Sequence, residues 1–120
     1  MKISEVSGRF GLTNDTLRYY ERLGLLGEIP RDASGDRSYT EESYDRIHFV
    51  KCMRDAGVSI EALVHYMKLL DEGPETHEQR KQILVEQREV MRERAKQIQH
   101  GIDTLDYKIE NYDAIMKDIK

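Results

Sequence analysis

Arg18, Tyr19, Tyr20, Glu21 and Arg22 follow one another without a gap, and this run concentrates groups able to bind an anion. A guanidinium presents forked N–H donors that fit a phosphate or a guanine edge, and a phenol adds a further hydrogen bond. Arg31, Arg37 and Tyr39 repeat the combination downstream. As bare pattern, the first run reads equally well as a solvated charged face with one tyrosine in the core. The other reactive group is Cys52, the chain's one thiol, with His48 a helical turn before it and Lys51 and Arg54 close by. Nearby positive charge favours thiolate. Phe49 and Ala56, on nearly the same face, instead suggest an inert thiol packed between helices.

Helices must position these groups. Ile3, Val6 and Phe10 share one helical face, Gly11 breaks the turn, and Thr13 can cap a second helix running through Gly24. On that helix Leu17, Tyr20 and Glu21 face inward, while Asp15, Arg18, Tyr19 and Arg22 face outward. Ile29-Pro30-Arg31 and Asp36-Arg37-Ser38-Tyr39 read as two short strands joined by Asp32-Ala33-Ser34-Gly35, a small β-ribbon wing. Thr40 caps a third helix carrying Tyr44, Ile47, Phe49, Val50 and Met53 until Ala56-Gly57, and Ser59 caps a fourth that Gly73-Pro74 ends.

From about Thr76 the period changes. Met91, Ala95, Ile98, Ile102, Leu105, Ile109, Tyr112, Met116 and Ile119 alternate spacings of four and three, with Leu84 one heptad earlier, which is a coiled-coil seam. A helix over 76–119 would run about 66 Å at roughly 1.5 Å per residue. The chain has no second helix of that length, so the stripe calls for a second copy rather than for the chain's own domain. The expected fold is mostly α: a winged helix-turn-helix head over residues 1–74 and a long C-terminal coiled-coil dimerisation helix over 75–120.

Composition narrows the function. At 120 residues, 35% charged and with one cysteine, the chain suits one soluble domain with an extended element, and the lone cysteine excludes an internal disulfide or a thiolate-rich zinc site. No segment approaches the roughly 20 apolar residues of a membrane span, and the N-terminus lacks a secretory core, so a cytoplasmic location is expected. The net charge of −4 is spread evenly: nine Lys and Arg against ten Asp and Glu in residues 1–58, ten against thirteen in 59–120. Any DNA contact must therefore come from a few placed arginines, with modest nonspecific affinity. His77-Glu78 opens like a zincin motif, but Lys81 stands where the second histidine is needed. His65 and His100 are isolated. No Ser, His and Asp grouping, phosphate loop or clustered carboxylate pair can be argued, so no catalytic residue, metal or cofactor is assigned and no enzyme is expected.

The opening Ile3-Ser4-Glu5-Val6 with Gly11-Leu12-Thr13, the run from Thr16 to Leu25, Arg37-Ser38-Tyr39, and Gly57-Val58-Ser59-Ile60 together resemble the MerR family of transcription regulators, and the resemblance continues into the coil. It implies that Arg18, Tyr19, Arg37 and Tyr39 lie at the DNA with Tyr20 near the backbone. Thr13, Asn14, Thr16, Arg22 and Arg31 complete the candidate DNA-binding set. It also implies a homodimer with antiparallel long helices. Such a dimer binds a palindrome within an overlong promoter spacer and distorts the DNA, so that RNA polymerase, affected only indirectly, engages both promoter elements.

Metal-sensing members of that family carry cysteines near the start of the long helix and in a loop after it, and drug-sensing members append a C-terminal ligand domain; neither feature is expected here. The segment from Phe49 to Glu61 resembles instead the NmlR or AdhR-like branch, which implies that Cys52 senses aldehydes or related electrophiles. The rival reading from another class is a coiled-coil interaction adaptor without sequence-specific DNA binding.

Overall fold

The computed structural model describes residues 1–118. Its helices are α1 (Ile3–Phe10), α2 (Asn14–Arg22), α3 (Glu41–Ala56), α4 (Ile60–Glu72), α5 (His77–Glu110) and α6 (Tyr112–Asp118), with a single 3₁₀ turn at Pro74–Thr76 before α5. The chain divides into two compact units, Met1–Leu84 and the segment from Val85 onward.

The predicted caps hold the first unit's helix ends. Thr13 accepts the Thr16 amide at 3.0 Å, Ser59 accepts that of Ala62 at 3.1 Å, and Thr40 and Ser43 cap each other's amides reciprocally. α2 stops at Arg22, two residues before Gly24. There the Gly24 amide reaches Glu21 O and the Leu25 amide reaches Tyr20 O, and Gly24 takes φ 79°, a left-handed conformation that a side chain would strain. Gly57 ends α3 in the same way, with φ 104°. At the end of α4, the buried Thr76 hydroxyl bonds Leu69 O at 2.7 Å and Gly73 O at 2.8 Å and accepts Arg80 Nε at 3.0 Å, fastening the last turn of α4 to the first turn of α5.

These ends bring the apolar faces into one core. Val6 and Phe10 of α1, Leu17 and Tyr20 of α2, Leu25, Leu26 and Ile29 of the connection, Ile47 and Val50 of α3, and Leu63 and Met67 of α4 are all buried. Ile83 is buried too, so the first turns of α5 belong to the head.

Two expectations about elements are corrected. The predicted ribbon is reduced to one antiparallel bridge, Arg31 to Arg37, and no strand is present among the described residues. Pro30 has no N–H to extend a ladder. Asp32 takes the Ser34 and Asp36 amides on its carboxylate at 2.9 and 3.0 Å, folding the segment into a turn instead. Nor is the long helix continuous to residue 119. It is interrupted at Asn111, whose side-chain amide bonds Tyr107 O at 2.8 Å, the same carbonyl that its backbone N–H uses. Competition of this kind loosens a helix locally. Ile119, the last seam position, lies outside the described residues.

Tyr39 sits inside the head rather than on its surface: it is 3% exposed, and its hydroxyl has no hydrogen-bond partner among the described residues. Burial, seconded by Glu21, raises its phenol above the ordinary tyrosine range against the pull of Arg37, Arg18 and Arg31. The folded state therefore keeps this proton after the unfolded chain has lost it. The associated stability is present below the ordinary tyrosine pKa and is lost as pH rises past it.

Two predictions follow for the head. Leu17→Ala should lower the unfolding free energy by about 2–5 kcal/mol in denaturant titrations; a loss below about 1 kcal/mol would mean that α2 is not held by this side chain. Tyr39→Phe should be neutral or slightly stabilising near neutral pH, because it deletes a buried hydroxyl without a partner. The difference in unfolding free energy between wild type and variant should stay flat up to about pH 10 and turn against wild type above it. A loss above about 1 kcal/mol at neutral pH would show that the hydroxyl is bonded.

Candidate nucleic-acid interface

α2 presents the two faces that its period predicts. Leu17 and Tyr20 are buried, whereas Asp15, Tyr19 and Arg22 are exposed and Arg18 is partly so. The Arg22 guanidinium lies 5.8 Å from the centroid of the Tyr19 ring, a cation–π arrangement that keeps both side chains on one patch. Arg18 Nη1 bonds Asp15 at 3.2 Å, a pair open to solvent and so worth little in stability. At the start of the helix the Thr13 hydroxyl is committed to the cap and also meets Thr16 Oγ1 at 2.9 Å, while Asn14 and Thr16 are half-buried.

The turn at residues 31–37 is fastened to α2 by Arg37, whose Nε donates to Glu21 Oε1 at 2.5 Å. Arg31 reaches across its own turn to Gly35 O at 3.4 Å. Arg18, Arg31 and Arg37, separate in sequence, therefore come together beside one cleft. Lys2 and Ser4 line that cleft as well and are absent from the sequence-derived set. What places them there is a backbone bond from Tyr39 N–H to Met1 O at 2.7 Å, a contact between distant residues that no local pattern announces.

Tyr39 differs from expectation, and Cys52 takes one of the two placements that its sequence neighbours left open. Tyr39 stands at the base of the turn, but its hydroxyl is closed off from solvent, so in this conformation it reaches no phosphate. Cys52 is not packed between helices: it is an exposed free thiol on the outer side of α3, because Ala56 is itself exposed and Phe49 instead stacks on Tyr66 with ring centroids 4.9 Å apart. Its Sγ lies 4.0 Å from His48 Nε2. The two expected cations are engaged elsewhere. Lys51 bonds Asp55 at 2.8 Å, which raises its ammonium above the ordinary lysine value, and Arg54 bonds Val58 O at 2.8 Å.

In the single chain the seam is largely uncovered. Ile98, Ile102, Leu105, Ile109, Tyr112 and Met116 are exposed, Ile109 by 69%; Ala95 is exposed, and Leu84 and Met91 are partly covered. Val90 and Tyr107 are further exposed apolar side chains outside the predicted seam.

Comparison with known proteins places this arrangement. The family described as MerR HTH family regulatory protein matches residues 1–70, and that described as MerR, DNA binding matches residues 44–107. The chain is 53% identical over 89 residues to the HTH-type transcriptional regulator AdhR of Bacillus subtilis, covering 74% of this chain and 64% of AdhR. It is 36% identical over 70 residues to the mercuric resistance operon regulatory protein of Bacillus cereus, covering 58% of this chain and 53% of that protein. The chain thus spans less than two thirds of the length of these relatives. Among solved structures it is similar to a MerR family transcriptional regulator of Listeria monocytogenes (TM-score 0.80, 44% identity, 94% of this chain and 86% of that one). It also shares its fold with HiNmlR, a MerR family regulator lacking the sensor domain, bound to promoter DNA (TM-score 0.73, 22% identity, 97% and 92%). With the first family match alone covering more than half of its residues, this chain belongs to the MerR family of helix-turn-helix regulatory proteins.

Proposed function

We propose that this MerR-family chain is a DNA-binding transcriptional regulator that works as a homodimer on a promoter palindrome and activates by distorting the DNA between the promoter elements. The observation that carries the reading is the outer face of α2, with Arg18, Tyr19 and Arg22 displayed together and the arginine-bearing turn locked beside it through Arg37 and Glu21. Arginines placed this way fix a helix in a groove through phosphates and reach base edges from its exposed face. The uncovered stripe of α5 and α6 supports pairing with a second copy through an antiparallel coil, which would give the operator its twofold symmetry. RNA polymerase enters only through the altered spacing of its own promoter elements.

The signal we assign to this regulator is an aldehyde or another electrophile. A thiol adds to an aldehyde with formation of an S–C bond and opening of the carbonyl π bond, and the thiol proton ends on the former carbonyl oxygen. Exposure of Cys52 makes it accessible to such a molecule, and His48 Nε2 stands near enough to relay the proton after a small rotation.

Selection of duplexes from a random-sequence pool with the wild-type chain should recover a palindrome, bound with an affinity that falls steeply as salt rises. Binding no tighter than to a scrambled duplex would defeat the proposal. Arg18→Ala should abolish tight binding of that palindrome with unchanged thermal stability; a destabilised variant would mean that the side chain supports the core. Ile102→Asp should give monomers by sedimentation and weak operator affinity, and a surviving dimer would contradict the seam. In transcription from a promoter carrying the palindrome, Cys52→Ser should bind as wild type does and lose its response to a small aldehyde. An unchanged response would refute the thiol mechanism.

A further inference from the structure

The cleft beside α2 has a volume of about 240 Å³ and is lined chiefly by Lys2, Ser4, Arg18, Arg31, Asp36 and Arg37, so four cationic side chains face it against one carboxylate. It is built from three separate segments. The Tyr39 to Met1 backbone bond pins the start of α1 to the base of the turn, and the ion pair of Arg37 with Glu21 pins the turn to α2. Among the described residues neither Lys2 nor Arg31 is paired with a carboxylate, and the Asp15 side chain that holds Arg18 is almost wholly in solvent. Lys2 stands immediately before α1, and the first amides of a helix have no intrahelical acceptor. Both features favour an anion at this end of α1.

We infer that this cleft seats one phosphate of the DNA backbone, making Lys2 and Ser4 duplex contacts alongside the outer face of α2. The inference rests on the DNA-binding reading above and adds a clamp to it. A phosphate held between α1 and the turn sets the depth and tilt of α2 in the groove while carrying no base information of its own. Asp36, the one carboxylate of the lining, offsets part of this positive charge.

The test is a salt series on the selected palindrome, read by fluorescence anisotropy, for wild type, Lys2→Ala and Lys2→Arg, with circular dichroism showing that all three are folded. Lys2→Ala should make the slope of log K against log salt shallower by about 0.9 for each half-site, weakening the palindrome and a scrambled duplex alike, and Lys2→Arg should restore the slope. A wild-type slope in Lys2→Ala would overturn the inference and leave the DNA reading standing, whereas failure of wild type to prefer any duplex would remove that reading itself. Titration with inorganic phosphate separates the remaining source. Phosphate binding that depends on Lys2, together with an unchanged DNA slope, would assign the cleft to a small phosphate ligand and overturn its assignment to the duplex.

Discussion

A nine-residue helix is too short to hold itself together in water, so whatever α2 displays depends on how its inner face is buried. Leu17 is wholly enclosed and Tyr20 nearly so, and α1, shorter still, packs against α2 and α3 and buries Val6 and Phe10, the latter against Tyr44. Burial of these few side chains, at about 1.5–3 kcal/mol each, supplies the stability that the helix lacks on its own. The outer residues are then free to be chosen for contact. Arg18, Tyr19 and Arg22 contribute almost nothing to the core, which is what permits them to serve a ligand.

Stability and positioning are divided in the same way at the turn. The Arg37–Glu21 pair is part-buried, so the cost of desolvating both groups offsets much of their attraction. Its worth is geometric. By holding residue 37 against α2 it fixes the cleft in which Arg18, Arg31 and Lys2 meet. The two tasks of Arg37, neutralising Glu21 and facing the cleft, share one guanidinium, whose fork has donors to spare once Nε is engaged.

Much of this was legible in the chain, for identifiable reasons. Helix ends were readable because Thr13, Thr40, Ser59, Gly24 and Gly57 act locally, each satisfying backbone groups within a few residues. The two faces of α2 were readable from its period. The features that escaped depend on competition or on distance. The strand pattern at residues 29–39 was overruled by a missing proline N–H and by an aspartate that bonds its own turn, and the long heptad pattern could not show that Asn111 would bond backward along the helix. Cys52 was ambiguous because its apparent neighbours Phe49 and Ala56 lie on a face that proves to be only half covered. Nothing near Lys2 or Ser4 in the chain signalled a place at the cleft, since their placement comes from a bond between residues 1 and 39.

The order of these parts along the chain has a consequence for biosynthesis. Everything that encloses the head lies before Leu84, and the apolar stripe at Ile98, Ile102, Leu105 and Ile109 comes after it. A ribosome adding about 5–20 residues per second therefore releases a foldable globule before the adhesive segment, leaving only seconds in which that segment is made beside an unfinished head. Newly made chains meet with their heads already shaped, so mispairing of the tacky segment with a nascent core is avoided by sequence order alone.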